Sequence, residues 1–215
     1  MSTRTRADDA VGTSRAAARI RAAATEMFAA RGYGETSMRD IAARLGLSPG
    51  AVYPHYKTKE SLLFAIALEG HRAVLSVLAE ADSPQATPGQ RLAATFAAFV
   101  RFHADNHAQA RVVQYELRSL SEESFKQIAA IRRATSKIFL DIVKTGCEAG
   151  DFDAPDVDAA VLAITSLGID VSRWFPARGH RDPQALAAKY TDLCLRMVGA
   201  QPRPRLPRFS AAEGG

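Results

Sequence analysis

Residues 36–60 read TSMRDIAARLGLSPGAVYPHYKTKE and predict two short helices joined by a tight turn. The first helix is expected to place four apolar residues, from Met38 to Leu45, on one face, because positions three and four apart share a side of an α-helix. Gly46 is expected to end it, since glycine takes the left-handed conformation after a helix without strain. Ser48 then caps a second helix whose first residue is a proline. A helix pair of this kind places its second helix in the major groove of DNA.

Several side chains of this stretch suit DNA. The hydroxyl, imidazole and ammonium groups between Tyr53 and Lys59 are donors for phosphate oxygens. Thr36 and Ser48 are expected at helix N-termini, which bind phosphate, although capping alone also explains both residues. Arg39 suits guanine, and Gly50 lets the backbone approach DNA closely. The residues expected to contact DNA are Thr36, Ser37, Arg39, Arg44, Ser48, Pro49, Gly50, Ala51, Tyr53, His55, Tyr56, Lys57 and Lys59.

Residues Ala16 to Leu63 resemble the DNA-binding domain of the TetR family of bacterial transcriptional repressors. The matching segments are IRAAATEMFAARGYGETSMRDIAARLGLS, GAVYPHY and KTKESL, which follow one another in this order. Their order and spacing over about fifty residues are more specific than any single segment. Pro54 departs from the pattern. It removes a backbone donor and disfavours helical geometry at Tyr53, so we expect a recognition helix that is short or tightened there.

Composition and charge agree with a helical DNA-binding protein. Of the 215 residues, 47% are hydrophobic, and the formal net charge is +5. Residues 1–60 carry ten Lys and Arg against six Asp and Glu, so most of the excess charge lies at the proposed DNA-binding end. A basic end accelerates association with DNA and makes binding sensitive to salt. No signal-peptide pattern and no apolar run of membrane-spanning length are recognised, which predicts a cytoplasmic protein without a membrane partner.

Hydrophobic periodicity predicts an all-α fold of about nine helices. A three-helix helix-turn-helix domain is expected at 14–60, and a helical effector-binding and dimerisation domain at 61–200. The polar segments 1–13 and 201–215 are predicted to be disordered tails. A long helix that begins after Lys57, with Thr58 as its cap, is expected to link the two domains. Asp153 and Asp182, each with a proline close behind it, are expected to cap the last two helices. The last two helices have wide apolar faces, which predict a homodimer through a four-helix bundle, as the family resemblance also implies.

The C-terminal half is expected to bind a small-molecule effector, because aromatic side chains with a few polar groups are typical of ligand pockets. The segment from Ala110 to Phe152 and the run Val171 to Phe175 are similar to TetR members that respond to acyl-coenzyme A thioesters. An acyl chain would suit an apolar interior, and arginines would suit the coenzyme phosphates. The residues expected to bind the ligand are Phe99, Phe102, Arg111, Tyr115, Arg118, Phe139 and Trp174.

Two alternatives are a helical enzyme and a small-molecule carrier with no DNA role. No Ser-His-Asp pattern, metal set or phosphate loop supports catalysis, so no catalytic residue and no cofactor are assigned. His103 and His107 are four apart, but Asp105 and Asn106 are expected to break the helix between them, so no metal site is predicted. A role of the N-terminal half in protein binding is disfavoured, because protein interfaces rarely use so cationic a cluster.

Overall fold

The computed structural model describes residues 3–177 and 179–200, and these residues form an all-α fold with no strand. The predicted fold class is confirmed. Within the described residues there are eight α-helices and two 3-10 helices, the latter at Pro49–Ala51 and Leu117–Ser119. The α-helices are α1 (Thr3–Arg31), α2 (Met38–Arg44), α3 (Lys59–Ala81), α4 (Pro88–Asp105), α5 (His107–Glu116), α6 (Glu122–Glu148), α7 (Val157–Trp174) and α8 (Pro183–Met197).

The first helix begins well before its expected start near residue 14. α1 runs from Thr3, so its range includes most of the segment 1–13 that was predicted as a tail. Residues 1, 2 and 201–215 lie outside the described residues, and with them lies the predicted C-terminal tail.

The helix-turn-helix forms as expected up to Ser48 and differs after it. Ser37 caps α2 in a reciprocal capping box with Asp40. Gly46 follows the C-cap with φ 67°, the left-handed conformation predicted for it. The second helix is a single 3-10 turn instead of an α-helix, which lowers the count from nine to eight. Pro54 accounts for this, because a proline removes a backbone donor and disfavours helical geometry in the residue before it.

Local capping explains where the other helices begin and end. Thr87 and Gln90 form a capping box at the start of α4, and the Asp182 side chain accepts from Gln184 N at the start of α8. α4 ends at Asp105, and Asn106 separates it from α5, as the sequence predicted. α7 is capped by Asp156 and not by Asp153, the residue expected there.

The chain divides into two compact units. The first contains the chain up to His71 together with Ala108–Ala129, and the second contains Arg72–His107 together with the chain from Ala130 onward. This division differs from the predicted boundary at residue 60, because α5 and the start of α6 belong to the first unit. Each unit has its own apolar core.

α3 contributes to both cores. Leu62 and Leu63 are fully buried in the core of the first unit, and Val74 and Leu78 are buried in that of the second. By length and composition alone, α3 is apolar enough to cross a membrane, a property that the sequence analysis did not recognise. Core helices of soluble proteins can share this property, and 39% of the apolar window of α3 is buried here.

Candidate nucleic-acid interface

α2 buries one face and exposes a basic one. Met38, Ile41 and Ala42 are buried in the first core, whereas Arg39 and Arg44 are exposed. Arg44 lies 3.3 Å from the Glu26 carboxylate, an exposed pair that contributes little to stability. No hydrogen bond or ion pair joins Arg39 to another residue of the described chain, so its guanidinium is available to an external acceptor.

The segment 48–57, which we call the recognition segment, also has an inner and an outer side. Val52 is fully buried and Tyr56 is 8% exposed, whereas Tyr53 is 46% exposed. Ser48 and Lys57 are exposed as well, and the Ser48 side chain makes no cap hydrogen bond. Within the described residues neither Tyr53 nor Lys57 is engaged by a hydrogen bond or an ion pair. The outer side therefore presents two hydroxyls and one ammonium group to solvent.

Gly50 lies in the 3-10 turn of the recognition segment and has no internal reason to be glycine. Its φ lies outside the left-handed region, and an added Cβ would meet no atom within 4 Å. Neither backbone strain nor packing within the described chain excludes a larger residue here. The missing side chain leaves the backbone open to a close external partner.

Ser37 is exposed, but its hydroxyl is occupied. It donates to Asp40 Oδ2 at 2.6 Å and accepts from Asp40 N at 3.2 Å. The Asp40 carboxylate accepts hydrogen bonds from the Ser37 hydroxyl and from the Ser37 backbone N–H, the latter at 2.8 Å, and these two bonds lower its pKa. Ser37 therefore orders the start of α2.

Three residues predicted to contact phosphate are used inside the first unit instead. Thr36 is 1% exposed, and its hydroxyl donates to the Gly32 carbonyl at 3.0 Å. The Tyr56 ring is buried, and its hydroxyl accepts from Arg21 at 2.7 Å. Lys59 is half-buried and donates to the Tyr33 carbonyl at 2.8 Å. Each of these residues therefore has a structural role in the first unit.

Lys59 closes a small cluster around Tyr33. Its ammonium lies 4.2 Å from the centre of the Tyr33 ring, and the Tyr33 N–H donates to the Glu116 carboxylate at 3.3 Å. Burial, with smaller contributions from Glu60 and Glu116, raises the pKa of Tyr33. Lys59 of α3 and Glu116 of α5 thus both bind the backbone of Tyr33, which lies in the turn between α1 and α2.

Of the remaining predicted DNA contacts, Pro49 is exposed and Ala51 and His55 are half-buried. The His55 backbone N–H donates to the Val52 carbonyl at 3.0 Å, which tightens the turn of the recognition segment. The structure thus leaves eight predicted residues exposed, namely Ser37, Arg39, Arg44, Ser48, Pro49, Gly50, Tyr53 and Lys57.

The predicted ligand-binding residues do not belong to one unit. Phe99, Phe102, Phe139 and Trp174 are in the second unit, and Arg111, Tyr115 and Arg118 are in the first. Phe99 and Phe139 are buried, with ring centroids 5.3 Å apart in an edge-on arrangement. Both rings are therefore core residues. Phe102 and Trp174 are half-buried, and Trp174 packs against Tyr190 with centroids 6.3 Å apart.

His103 and His107 serve the helical core. The His103 Nδ1–H donates to the Phe99 carbonyl at 2.8 Å, and the His107 Nδ1–H donates to the Ala104 carbonyl at 2.9 Å. Burial lowers the pKa of His103 to about 4. Among the described residues, no three His, Cys, Asp or Glu side chains cluster as metal ligands.

Two family models together cover most of the chain. Residues 20–66 match "Bacterial regulatory proteins, tetR family", and residues 85–198 match "Tetracyclin repressor-like, C-terminal domain". The chain belongs to the TetR family. A solved bacterial regulatory protein of this family from Rhodococcus RHA1 is 62% identical, with a TM-score of 0.84 over 86% of this chain and 97% of the other.

Curated relatives of this TetR-family chain are also regulators. The transcriptional repressor KstR2 of Mycobacterium tuberculosis H37Rv is 28% identical over 174 residues, 80% of this chain and 87% of KstR2. The fatty acid metabolism regulator protein of Bacillus subtilis 168 is 28% identical over 175 residues, 80% of this chain and 90% of that protein.

The family defines the class of function. This TetR-family protein is a ligand-responsive, DNA-binding transcriptional repressor and not an enzyme. TetR regulators bind operator DNA, dimerise and bind small-molecule effectors, and they are soluble cytoplasmic proteins.

Two structural residues were not predicted from the sequence. Arg21 hydrogen-bonds Tyr56 and Glu69, and Glu116 accepts from the Tyr33 backbone. These partners are 35 to 83 positions apart in the chain, so no local motif indicates them. Arg132 of α6 is a further half-buried cation, and burial lowers its pKa.

Proposed function

We propose that this repressor contacts its operator through the outer side of the recognition segment together with Arg39 of α2. One observation carries the proposal: Arg39, Tyr53 and Lys57 are exposed and unengaged within the described chain, whereas their neighbours pack into the first core. Side chains that the fold does not use are free to bind an external partner without a loss of internal contacts.

Each outward group has a chemically distinct role in the proposal. Lys57, with the hydroxyls of Ser48 and Tyr53, would bind phosphate oxygens and set the position of the protein on the duplex. Arg39 would donate in bidentate fashion to guanine, and Gly50 would bring the backbone close to the groove. Base readout and phosphate contacts then make separate contributions to affinity.

We infer that two such surfaces act together in a homodimer built through α7 and α8. Leu162 of α7 is 68% exposed, and Leu193 and Met197 of α8 are 46% and 41% exposed. Large apolar side chains at this exposure favour burial against a partner, and helix pairs form four-helix bundles across a two-fold axis. The two recognition segments would then reach successive major grooves, roughly 34–36 Å or a multiple apart.

The dimer surface is tested by substitution of Leu162 with Asp, followed by analytical ultracentrifugation. Phe125→Asp is the matched control, because Phe125 is 46% exposed but lies in the first unit. We expect Leu162→Asp to sediment as a folded monomer and Phe125→Asp as a dimer. A dimer of unchanged stability for Leu162→Asp would argue against this interface.

We further propose that the effector is a small apolar molecule of the acyl-coenzyme A type. The aromatic residues of the second unit supply an apolar environment, as the pockets of small apolar ligands require. The Bacillus subtilis relative, named a fatty acid metabolism regulator, supports a thioester of a fatty acid as the first candidate.

Release of DNA would be transmitted by α3, which follows the recognition segment and contributes to both cores. An effector that prefers the released state about 100-fold supplies about 2.7 kcal/mol toward release. By linkage, operator DNA must weaken effector binding by the same factor. The protein would act where its operator is, in the bacterial cytoplasm.

The experiment that tests the whole proposal is binding of the full-length protein to its own upstream DNA. Operator and scrambled duplexes are titrated at several salt concentrations, with and without an acyl-coenzyme A, free coenzyme A or the free fatty acid. We expect selective binding that the thioester alone releases. Equal affinity for both duplexes would exclude the operator proposal, and simultaneous binding of thioester and operator without mutual weakening would exclude this effector.

A further inference from the structure

Arg21 of α1 bridges the recognition segment and α3. Its guanidinium donates through Nη1 to the Tyr56 hydroxyl at 2.7 Å and through Nε to Glu69 Oε2 at 2.5 Å. We infer that this Arg21 bridge is a positioning device, which sets the orientation of the recognition segment for operator DNA. The inference rests on the proposed function of that segment.

The Tyr56 hydroxyl both accepts and donates a hydrogen bond. It accepts from Arg21 and donates to the Ala17 carbonyl, 3.4 Å away. The ring itself is buried in the first core at 8% exposure. A shift or rotation of this side chain would break both hydrogen bonds, so the ring is held in one place with respect to α1.

The fixed position of Tyr56 extends to the DNA-facing groups. The Tyr56 N–H donates to the Val52 carbonyl at 3.1 Å, which closes a turn around Tyr53. Lys57 follows Tyr56 directly in the chain. Because this segment is short and tightly turned, the direction of its outer side chains depends on the orientation of the Tyr56 anchor.

Glu69 fixes the other end of the bridge. Its carboxylate is 54% exposed and pairs with a guanidinium whose side chain is 26% exposed, so solvent screens this pair only somewhat less than a fully exposed one. Glu69 lies on α3, the helix that contributes to both cores. The bridge therefore joins α1, α3 and the recognition segment through one side chain.

A positioning role and a purely structural role predict different DNA-binding data. Specific binding needs the outer groups in register with base edges and phosphates, whereas non-specific binding is mainly electrostatic and tolerates misalignment. Loss of the bridge should therefore weaken operator binding about tenfold, the scale of a hydrogen bond to a charged group, and leave scrambled-DNA binding unchanged.

The test uses the full-length dimer with Tyr56→Phe, Arg21→Gln and their double variant. Tyr56→Phe is the decisive change, because it keeps the buried ring and the net charge while removing the hydroxyl. Lys126→Gln is the control for the loss of one positive charge. Lys126 is exposed and forms an ion pair with the exposed Glu122 at 2.6 Å. Operator affinity, scrambled-DNA affinity, salt dependence, thermal stability and hydrogen exchange of residues 52–57 are measured.

We expect Tyr56→Phe to lose about tenfold in operator affinity with an unchanged salt dependence. The double variant should lose little more operator affinity than Arg21→Gln alone, because the Arg21–Tyr56 hydrogen bond is lost in both single variants. Exchange at residues 52–57 should rise in the protein without DNA. The inference is overturned if Tyr56→Phe binds the operator like wild type, or if its affinity falls in proportion to its thermal stability.

Failure of the proposed function has a separate signature. If the wild-type protein does not distinguish operator from scrambled DNA, the DNA proposal is wrong. The exchange measurement still decides the bridge in that case, since unchanged exchange at residues 52–57 in Tyr56→Phe would show that the hydroxyl does not hold the segment.

Discussion

Lys57 and Lys59 are two positions apart in the chain, yet substitution of each should have a different effect. Lys57 is exposed and unengaged within the described residues, whereas Lys59 donates to the Tyr33 carbonyl and lies over the Tyr33 ring. Lys57→Ala should therefore remove a phosphate contact. Lys59→Ala should remove support from the turn between α1 and α2.

The expected change in salt dependence for Lys57→Ala follows from counterion release. Each phosphate contact contributes about 0.9 to the slope of log affinity against log salt, so a dimer that loses two contacts should lose about 1.8. Between 50 and 200 mM salt, the affinity of wild type should therefore fall roughly tenfold more than that of Lys57→Ala. Fluorescence anisotropy with an operator duplex at four or more salt concentrations measures both slopes.

The expected loss of stability in Lys59→Ala follows from the internal contacts of Lys59. Loss of a hydrogen bond to a charged group and of a cation–π contact should lower the free energy of unfolding by about 2 kcal/mol. The salt slope should stay at the wild-type value. Lys144→Ala is the control for both variants, because Lys144 is exposed and lies in the second unit. Equal changes in slope for Lys57→Ala and Lys59→Ala would refute the distinction.

Three further predictions follow from single residues. Gly50→Ala should leave the free energy of unfolding within about 0.5 kcal/mol of wild type, because the added Cβ meets no atom of the described chain. The same Cβ would obstruct the approach to DNA, so operator binding should weaken. Unchanged operator affinity would show that Gly50 is not part of the contact surface. His103 has a folded-state pKa of about 4, below its ordinary 6.5, so the unfolded chain binds the proton at a higher pH than the folded chain does. The free energy of unfolding should therefore fall by up to about 3 kcal/mol as pH decreases from 6.5 to 4. Urea titrations of wild type and His103→Phe at pH 7 and 5 test this, and equal pH dependence in both would contradict it. Gly168→Ala should lower the free energy of unfolding by about 1–2 kcal/mol, since a Cβ would lie 2.5 Å from the buried Phe99 ring. Gly70→Ala in α3 should raise it, because its Cβ would meet only the flexible Gln109 side chain at 3.4 Å. A change of the same sign for both variants in thermal unfolding would refute the packing argument.

Much of the fold could be predicted because its signals are local. Gly46 ends α2 in the left-handed conformation, Asp182 caps α8, and Pro54 shortens the recognition helix, all as expected. These effects act between residues at most a few positions apart, so their physical cause is visible in the sequence. The Asp156 cap of α7 was misassigned to Asp153, which shows that helix boundaries are less certain than helix existence.

The candidate site divides in the same way. The exposure of Arg39 follows from helical periodicity, because its apolar neighbours in α2 must face the core. The exposure of Tyr53 and Lys57 follows from the polar composition of the segment around them. The internal roles of Thr36, Tyr56 and Lys59 do not follow, since their chemistry is equally suited to phosphate. Which donors remain free depends on the acceptors that other segments bring to them.

The sequence by itself determined an all-α protein of the TetR type with its DNA-reading motif near the N-terminus, because capping, turn chemistry and apolar spacing are short-range. Only the tertiary structure decided that α5 joins the first unit, that the predicted ligand residues are divided between two units, and that Arg21 contacts a glutamate 48 positions away. Such long-range contacts depend on how the apolar faces of distant helices pack. The pattern of each helix determines which face is buried, but not which partner covers it.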